Sequence, residues 1–410
     1  MSPVEHIRVG VIGGGAAGYF AAITCAEARP GAEVIILEAT HDPLDKVRIS
    51  GGGRCNVTHH CFDPKVLVQG YPRGGRELLG PFNRFQPADT VAWFEKRGVR
   101  LKAEDDGRMF PTTDNSSTIV ECLQHAARDA GVSVRLGWRA VGISRKDDSF
   151  EVGSNTGEKG RFDRVLIASG NARVGHELAA SLGHTIMPCV PSLFTFKVKD
   201  ARLEGLSGVS VPDVEARLKV GEAPELIQQG PMLITHWGLS GPAILKLSSW
   251  GARPLFENRY RADLIVNLLP EYNERSLMEA FHKRKDAHAK KKVVSDNFLS
   301  VPKRLWQRLA ESAGINAEMT WAHMDRESGQ RFALQLVAGE YEVTGKGIFK
   351  EEFVTCGGVS LKEVDFRTMQ SRRCPGLYFA GEILDIDGIT GGYNFQSAWT
   401  TGWIAGKSMM

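Results

Sequence analysis

Residues 7–40 read IRVGVIGGGAAGYFAAITCAEARPGAEVIILEAT. An apolar, β-branched run stops at three glycines, small and apolar residues then recur at helical spacing, and EVIILEA follows as a second apolar run. The order predicts strand, tight turn, helix, strand, the opening unit of an α/β fold. Gly13, Gly15 and Gly18 fit G-x-G-x-x-G in that context. The first glycine permits the turn, the second lets backbone approach a pyrophosphate, and the third lets helix pack on strand. Ala16 and Ala17 belong to the same phosphate-facing turn, at a helix start whose free N–H groups and positive dipole end favour anions. Glu38 closes the second strand, where a carboxylate accepts hydrogen bonds from a ribose diol and repels a 2′-phosphate. A glycine turn with only a structural role is the alternative, and the unit alone leaves NAD and FAD open.

The other end of the chain separates those two. AGEILDIDGITGGYNFQSAWTTG, residues 380–402, follows the apolar run LYF. It predicts a buried strand ending at Gly381 and Glu382, then a helix opening after Gly391 and Gly392 with Tyr393, Asn394 and Gln396 in its first turn. In a flavin-binding sheet the chain often returns at its end to place one more strand next to the first. The acid then meets the ribityl chain, and the helix N-terminus faces the flavin ring and favours negative charge on it. An NAD domain has no use for such a return, so FAD is the expected cofactor. An ordinary strand with a glycine-rich connection is the alternative. RVLIASGNA, 164–172, adds a third piece: an apolar strand breaking at Ser169 and Gly170 near the adenosine side.

With IGGGAAG, the stretches KVRISGGGRCNVTH (46–59), THWGLSGPAIL (235–245), CGGVSLKEVDFRTM (356–369) and GLYFAGEILDIDGITGGYNFQSAWTTG resemble the bacterial YhiN-like flavoproteins. That family is also described as aminoacetone-oxidase-like or BaiN-like, and the likeness runs in order over essentially the whole chain. It implies a glutathione-reductase-like FAD-binding domain (1–190 and 355–410) interrupted by an insert. The insert is a β-barrel (191–270 and 331–354) with a small helical subdomain (271–330). Activities associated with the family are amine oxidation, reduction of unsaturated bile-acid intermediates, and formation of dihydrouridine in the 23S RNA of the large ribosomal subunit.

SGGGRCN, 50–56, suits a loop whose backbone passes close to a ligand, with Gly52, Gly53 and Asn56 as contacts. Arg54, with Lys46 and Arg48, would place positive charge near a pyrophosphate or anionic flavin; a flexible surface loop is the alternative. Cys55 beside Arg54 is a candidate proton donor if its thiol pKa is lowered, and otherwise a packing residue. From Pro191 the short alternating runs SLFTFKV, PDVEARLKV, GPMLITHWG and ADLIVNLL predict a barrel or sandwich. His236 there is a candidate acid–base group or a satisfied structural histidine. Residues 271–330 carry helical periodicity and the most basic run of the chain, with Lys283, Arg284, Lys285, Lys290, Lys291 and Lys292, and Trp306 nearby. That run either tracks RNA phosphates or forms a solvated helical face. QRFALQLVAGEYEVTG returns to strand patterning.

A chain of 410 residues with net charge +3 has room for two or three domains and no overall charge that demands nucleic acid. MSPVEH is not the start of a secretory signal, and no apolar run suits a membrane span. A cytoplasmic location, no membrane and no stable protein partner are therefore expected. The seven scattered cysteines argue against a disulfide framework, a disulfide-reductase pair and a structural zinc site, and no metal is expected. No second G-x-G-x-x-G accompanies a strand and helix, so NADPH or NADH, as electron donor, would visit the flavin and leave. Three readings follow: a flavin enzyme moving a hydride to or from carbon, with uracil in ribosomal RNA as the leading substrate; a small-molecule oxidase or ene-reductase; and an RNA-associated protein with a structural flavin.

Overall fold

The computed structural model describes residues 7–347 and 354–410. The readings placed on MSPVEH and on residues 348–353 lie outside them. The chain forms two compact units, Met1–Cys189 with Thr355–Met410, and Val190–Val354.

The first unit is built on a seven-stranded sheet. Arg8–Ile12 runs parallel to Glu33–Leu37 on one side and to Arg164–Ile167 on the other. Ser133–Arg135 extends the sheet beyond Glu33–Leu37, and Leu377–Phe379 extends it beyond Arg164–Ile167. Val9, Val11, Ile36 and Leu166 are fully buried, as expected where helices cover both faces of parallel strands. The returning strand was expected next to the first. It pairs instead with Arg164–Ile167, because that apolar strand already fills the place, with Ala168 N–H donating to Ile12 O.

The end of the chain reaches its beginning through helices. Tyr393–Ser408 packs on Ala16–Ala28 so closely that a Cβ on Gly402 would lie 2.7 Å from Ala17 O, and one on Gly406 2.5 Å from Ala21 O. Glycine there lets two backbones touch, which fixes the last helix against the first dinucleotide turn. A short sheet of Thr58–His59, Arg108–Pro111 and Leu101–Ala103 lies in the same unit and supplies residues to the site.

The second unit holds a closed barrel of six strands, ordered Phe196–Val198, Gly238–Ser240, Leu226–Thr235, Ser210–Lys219, Ala262–Asn267 and Gly339–Lys346. Alternation drives it: Ser210–Lys219 buries Val211, Val214, Ala216 and Leu218, with a bulge between Val211 and Val214 that restores the inward phase. The helices Glu274–His288, Lys303–Ser312 and Arg326–Val337 share one apolar core with the barrel through Phe281, Trp306 and Phe332. QRFALQLV was expected as strand and is helix. Its Phe332, Ala333, Leu336 and Val337 repeat at helical spacing toward the core, and Asp325 caps the helix by accepting the Ser328 N–H. Among the described residues no helix is long and apolar enough to cross a membrane.

Candidate functional site

The glycine turn is shaped as its residue types require. Gly13 sits at φ +110, and a Cβ there would lie 2.6 Å from Ala168 O; one on Gly18 would lie 2.0 Å from Gly13 O. Gly15 is the opposite case, with nothing within 4 Å of where its Cβ would be, and it caps the Ala16–Ala28 helix. That helix has no side-chain cap and no acid in its first turn, so its positive end is left for an anion. Glu38 accepts the Gly14 N–H at 2.6 Å on one oxygen and the Thr40 N–H at 2.8 Å on the other.

Beside these residues lies a cavity of about 430 Å³, lined by Gly13, Glu38, Thr40, Trp138, Arg139 and Ser169. The volume suits a nucleoside. The Ser169 hydroxyl is buried without a hydrogen-bond partner among the described residues, and it lies against Gly175, where a Cβ would come within 1.8 Å of its Oγ. A groove of about 510 Å³ between Glu27, Arg97 and His125 is larger, but it lies away from the glycine turn and is bridged by the Arg97–Glu27 ion pair. Size alone does not make it the site.

Three distant segments meet next to the glycine turn. Lys46 Nζ lies 2.6 Å from Glu382 Oε2 and donates to Asn171 Oδ1 at 3.1 Å. Gly170, at φ +62, has the Glu382 carboxylate 3.7 Å from where its Cβ would be. The sequence-derived residues Lys46, Gly170 and Glu382 are thus neighbours. After Ile49 the chain leaves helical geometry at Ser50, and Gly51, Gly52 and Gly53 take left-handed φ values of 58, 69 and 83. A Cβ on Gly52 or Gly53 would meet nothing within 4 Å, which leaves their backbone open to a ligand.

The start of the last helix is joined to the Thr58–His59 strand. Asn56 donates its side-chain N–H to Thr58 O at 3.1 Å and accepts the Gly392 N–H at 2.9 Å, its amide oriented by this network. Gly392 is at φ +93, where a Cβ would lie 2.4 Å from Thr58 O. The helix it caps has no side-chain cap and no acid in its first turn. Gly381, at φ +75, presents its N–H to Thr401 Oγ1 at 3.0 Å, tying the return strand to this helix.

Several side chains assigned to the cofactor are engaged elsewhere. Arg54 directs its guanidinium to Glu104 at 2.7 Å and Asp114 at 3.5 Å, and stacks 3.9 Å from the Phe110 ring centroid. Gln396 is fully buried: its Oε1 accepts from Thr58 Oγ1 at 2.6 Å and Thr90 Oγ1 at 2.9 Å, and its Nε2 donates to Thr400. Asn394 brackets Gly388, accepting its N–H at 2.8 Å and donating to its carbonyl at 3.0 Å. Tyr393 is buried, stacks on His59 with centroids 4.7 Å apart, and has its hydroxyl pushed up to about 12 by burial. These residues shape the loop with which they were expected to grip a ligand.

Cys55 overturns the expectation of a lowered thiol pKa. It is fully buried at φ +61, and loss of hydration pushes its thiol up to about 12, while Arg54 gives its charge to two carboxylates. His236 lies exposed in the two-residue turn joining Leu226–Thr235 to Gly238–Ser240. Trp306, offered as an aromatic beside the basic run, is fully buried with its Nε1 on Val293 O. Arg284 forms a two-point contact with Asp296, Lys291 lies 3.3 Å from the same carboxylate, and Lys292 lies 2.7 Å from Glu318.

Two features escaped the sequence reading. His59 holds the Gly391 carbonyl 3.0 Å from its Nδ1, and burial lowers its pKa. Arg73 grips the fully buried Asp387 with both ends of its guanidinium, fixing the loop before the last helix. No periodicity marks either pair, since the partners are 332 and 314 residues apart.

A mostly parallel sheet carrying a glycine-lined, phosphate-facing helix start, completed from the far end of the chain, defines a Rossmann-type dinucleotide-binding protein. The chain belongs to the HI0933-like family: the profile of the HI0933-like protein Rossmann domain matches residues 7–408. It is 30% identical, over 98% of both chains, to a protein of Clostridium scindens named 3-dehydro-bile acid delta(4,6)-reductase. It is 28% identical, over 99% of both, to the ribosomal RNA dihydrouridine synthase of Escherichia coli K12. Among solved structures, the open conformation of a flavocytochrome c3 fumarate reductase aligns with a TM-score of 0.50 at 18% identity, over 100% of this chain and 78% of that one.

Proposed function

We propose that this protein is an FAD-dependent oxidoreductase that moves a hydride between the flavin and a carbon centre, reducing an activated C=C bond. The observation that carries the reading is the split site: a glycine-lined helix start at one end of the chain, and a second uncapped helix start at Gly392 beside it. Glu38 suits a ribose and Gly13 to Gly18 suit a pyrophosphate, beside the cavity between Glu38 and Trp138. Bound there, the flavin supplies two-electron hydride chemistry. The Tyr393–Ser408 helix offers its positive end to negative charge, and the Lys46–Glu382 pair holds a polar wall next to Gly170.

Reduction of C=C also needs a proton. Cys55, buried with its thiol raised to about 12, suits packing, so we assign the acid role to the exposed His236. We take uracil in ribosomal RNA as the substrate, supported by the name of the Escherichia coli relative, with NADPH or NADH as transient donor and a cytoplasmic setting. The Clostridium scindens relative supports a second reading, a reductase of a small unsaturated steroid-like acid.

The test is anaerobic mixing of the yellow protein with NADPH or NADH while the flavin band near ~450 nm is followed, then mass analysis of digested RNA for uridine gaining two hydrogens. Bleaching followed by dihydrouridine is expected. A protein that takes up no FAD overturns the whole reading, and turnover of small enones alone transfers it to the second.

A further inference from the structure

Tyr393 opens the last helix, directly after Gly391 and Gly392, and its ring is held while its hydroxyl is not. Tyr71 Oη donates to Tyr393 O at 2.6 Å, and the two rings pack edge-on with centroids 5.6 Å apart. The stacked His59 ring lies with its plane 30° from that of Tyr393. Two glycines make the room. A Cβ on Gly70 would lie 2.3 Å from Tyr393 Cε1 and 2.8 Å from Cζ, and one on Gly388 2.6 Å from Tyr393 Cβ. The residue is only 9% exposed. Its hydroxyl nevertheless has no hydrogen-bond partner among the described residues, and the oxygen is not shut off from solvent as that of Ser169 is. A buried tyrosine ordinarily spends its O–H on a partner, as Tyr71 does here.

Burial holds the Tyr393 phenol up at about 12, so it is a neutral O–H donor at ordinary pH and not a base. His59 has its Nδ1 on the Gly391 carbonyl and its pKa lowered by burial, so it adds no cation at neutral pH. The helix start that Tyr393 belongs to has no side-chain cap and no acid in its first turn. A preorganised neutral donor beside a positive helix end stabilises negative charge that develops on an oxygen. We propose that the Tyr393 hydroxyl donates a hydrogen bond to a carbonyl oxygen of the substrate, which makes the substrate an α,β-unsaturated carbonyl compound and not an isolated alkene. The proposal rests on the C=C reduction proposed above. Hydride joins the β carbon, the π pair moves toward the carbonyl, and the oxygen takes the negative charge of an enolate. Tyr393 O–H stabilises that charge and keeps its proton. A proton from the separate acid then joins the α carbon and the C=O bond re-forms, so the substrate gains two hydrogens. Uracil, whose ring C=C is conjugated with a carbonyl, and a dienone steroid acid both meet this requirement.

The test uses the full-length flavin-loaded protein and Tyr393→Phe, which deletes only the hydroxyl. Each is reduced with one equivalent of dithionite and mixed anaerobically with a ribosomal RNA transcript or a bile acid carrying a 3-oxo-4,6-diene. Return of the flavin band near ~450 nm reads the transfer. Tyr393→Phe should slow that return about a hundredfold, the usual cost of removing one donor to a developing oxyanion. Its FAD retention, its melting temperature and its rate of reduction by dithionite should match the parent. A second readout needs no turnover: the dienone bound to the oxidised parent should absorb at longer wavelength than in water, and bound to Tyr393→Phe it should not. A variant reoxidised at the parent rate, or a dienone bound to the parent without the shift, overturns the role of Tyr393 and leaves the C=C reading standing. A variant that loses FAD or slows in both half-reactions marks the hydroxyl as structural and overturns the role as well. A parent that reduces neither acceptor overturns the C=C reading and this inference with it.

Discussion

Lys46 and Glu382, 336 positions apart in the chain, meet at 2.6 Å beside Gly170. The contact joins the segment after the second strand to the segment after the last one, so it exists only when the two halves of the site are assembled. Glu382→Gln removes the charge and keeps the shape. A partly exposed ion pair contributes about 0.2–1 kcal/mol, so FAD affinity should fall by about two- to fivefold, read as flavin lost on dialysis. Glu382→Lys, which sets two cations together, should lose more.

Gly392→Ala tests the joint between the last helix and the Thr58–His59 strand. The backbone is left-handed there, and the new Cβ would lie 2.4 Å from Thr58 O. Strain of this kind costs about 1–3 kcal/mol. The melting temperature should drop by several degrees, at about 2–4 °C per kcal/mol for a unit of this size. A variant that melts like the parent would show that the joint yields.

The buried thiols set an alkaline limit. Burial raises Cys55 to about 12 and Cys25 to about 11 from an ordinary 9.0. Folding keeps them protonated, so the stability they contribute is intact below pH 9 and falls as pH rises toward 11 and 12. The slope is about 1.4 kcal/mol per pH unit for each thiol. Denaturant titrations at pH 8 and pH 10 should show the loss, and Cys55→Ser should reduce it. Native Cys55 should also resist alkylation.

Arg284 and Asp296 make the opposite prediction for acid. The Arg284 hydrogen bonds hold the Asp296 carboxyl down at about 2, from an ordinary 3.8, and Trp321 Nε1 adds a bond at 2.9 Å. The contribution is present above pH 4 and lost as pH falls through 2. Arg284→Ala leaves a nearly buried carboxylate without its main partner and should cost about 2–4 kcal/mol in chemical denaturation. It should leave the salt dependence of RNA binding unchanged, because this arginine serves the helical core.

The readable parts of the fold are those whose cause is local. Gly13, Gly15, Gly18 and Glu38 announce themselves because a turn, a helix start and a strand end follow one another within a few dozen residues. Barrel strands such as Ser210–Lys219 alternate because one face is wet. The partners of Arg54, Asn394 and Gln396 are not legible, for the opposite reason. Glu104, Gly388, Thr58 and Thr90 decide where those side chains point, and nothing in residue type distinguishes a grip on a cofactor from a grip on the protein's own loop. The position of the return strand is hidden too, since Arg164–Ile167 and Leu377–Phe379 are both fully apolar in their inward residues and differ only in which arrives first. The lysine run is legible as charge but not as pairing, because Asp296 and Glu318, which meet Arg284, Lys291 and Lys292, lie further along the chain.

The close contact of Gly402 and Gly406 with Ala17 and Ala21 also bears on the order of events during synthesis. The first helix leaves the ribosome long before its permanent cover exists. The barrel unit, Val190–Val354, is complete in between and is free to fold on its own schedule, whereas the nascent dinucleotide turn waits with one side bare. The Tyr393–Ser408 helix is thus the last piece to reach the dinucleotide turn, and the two halves of the site cannot meet before it has been made.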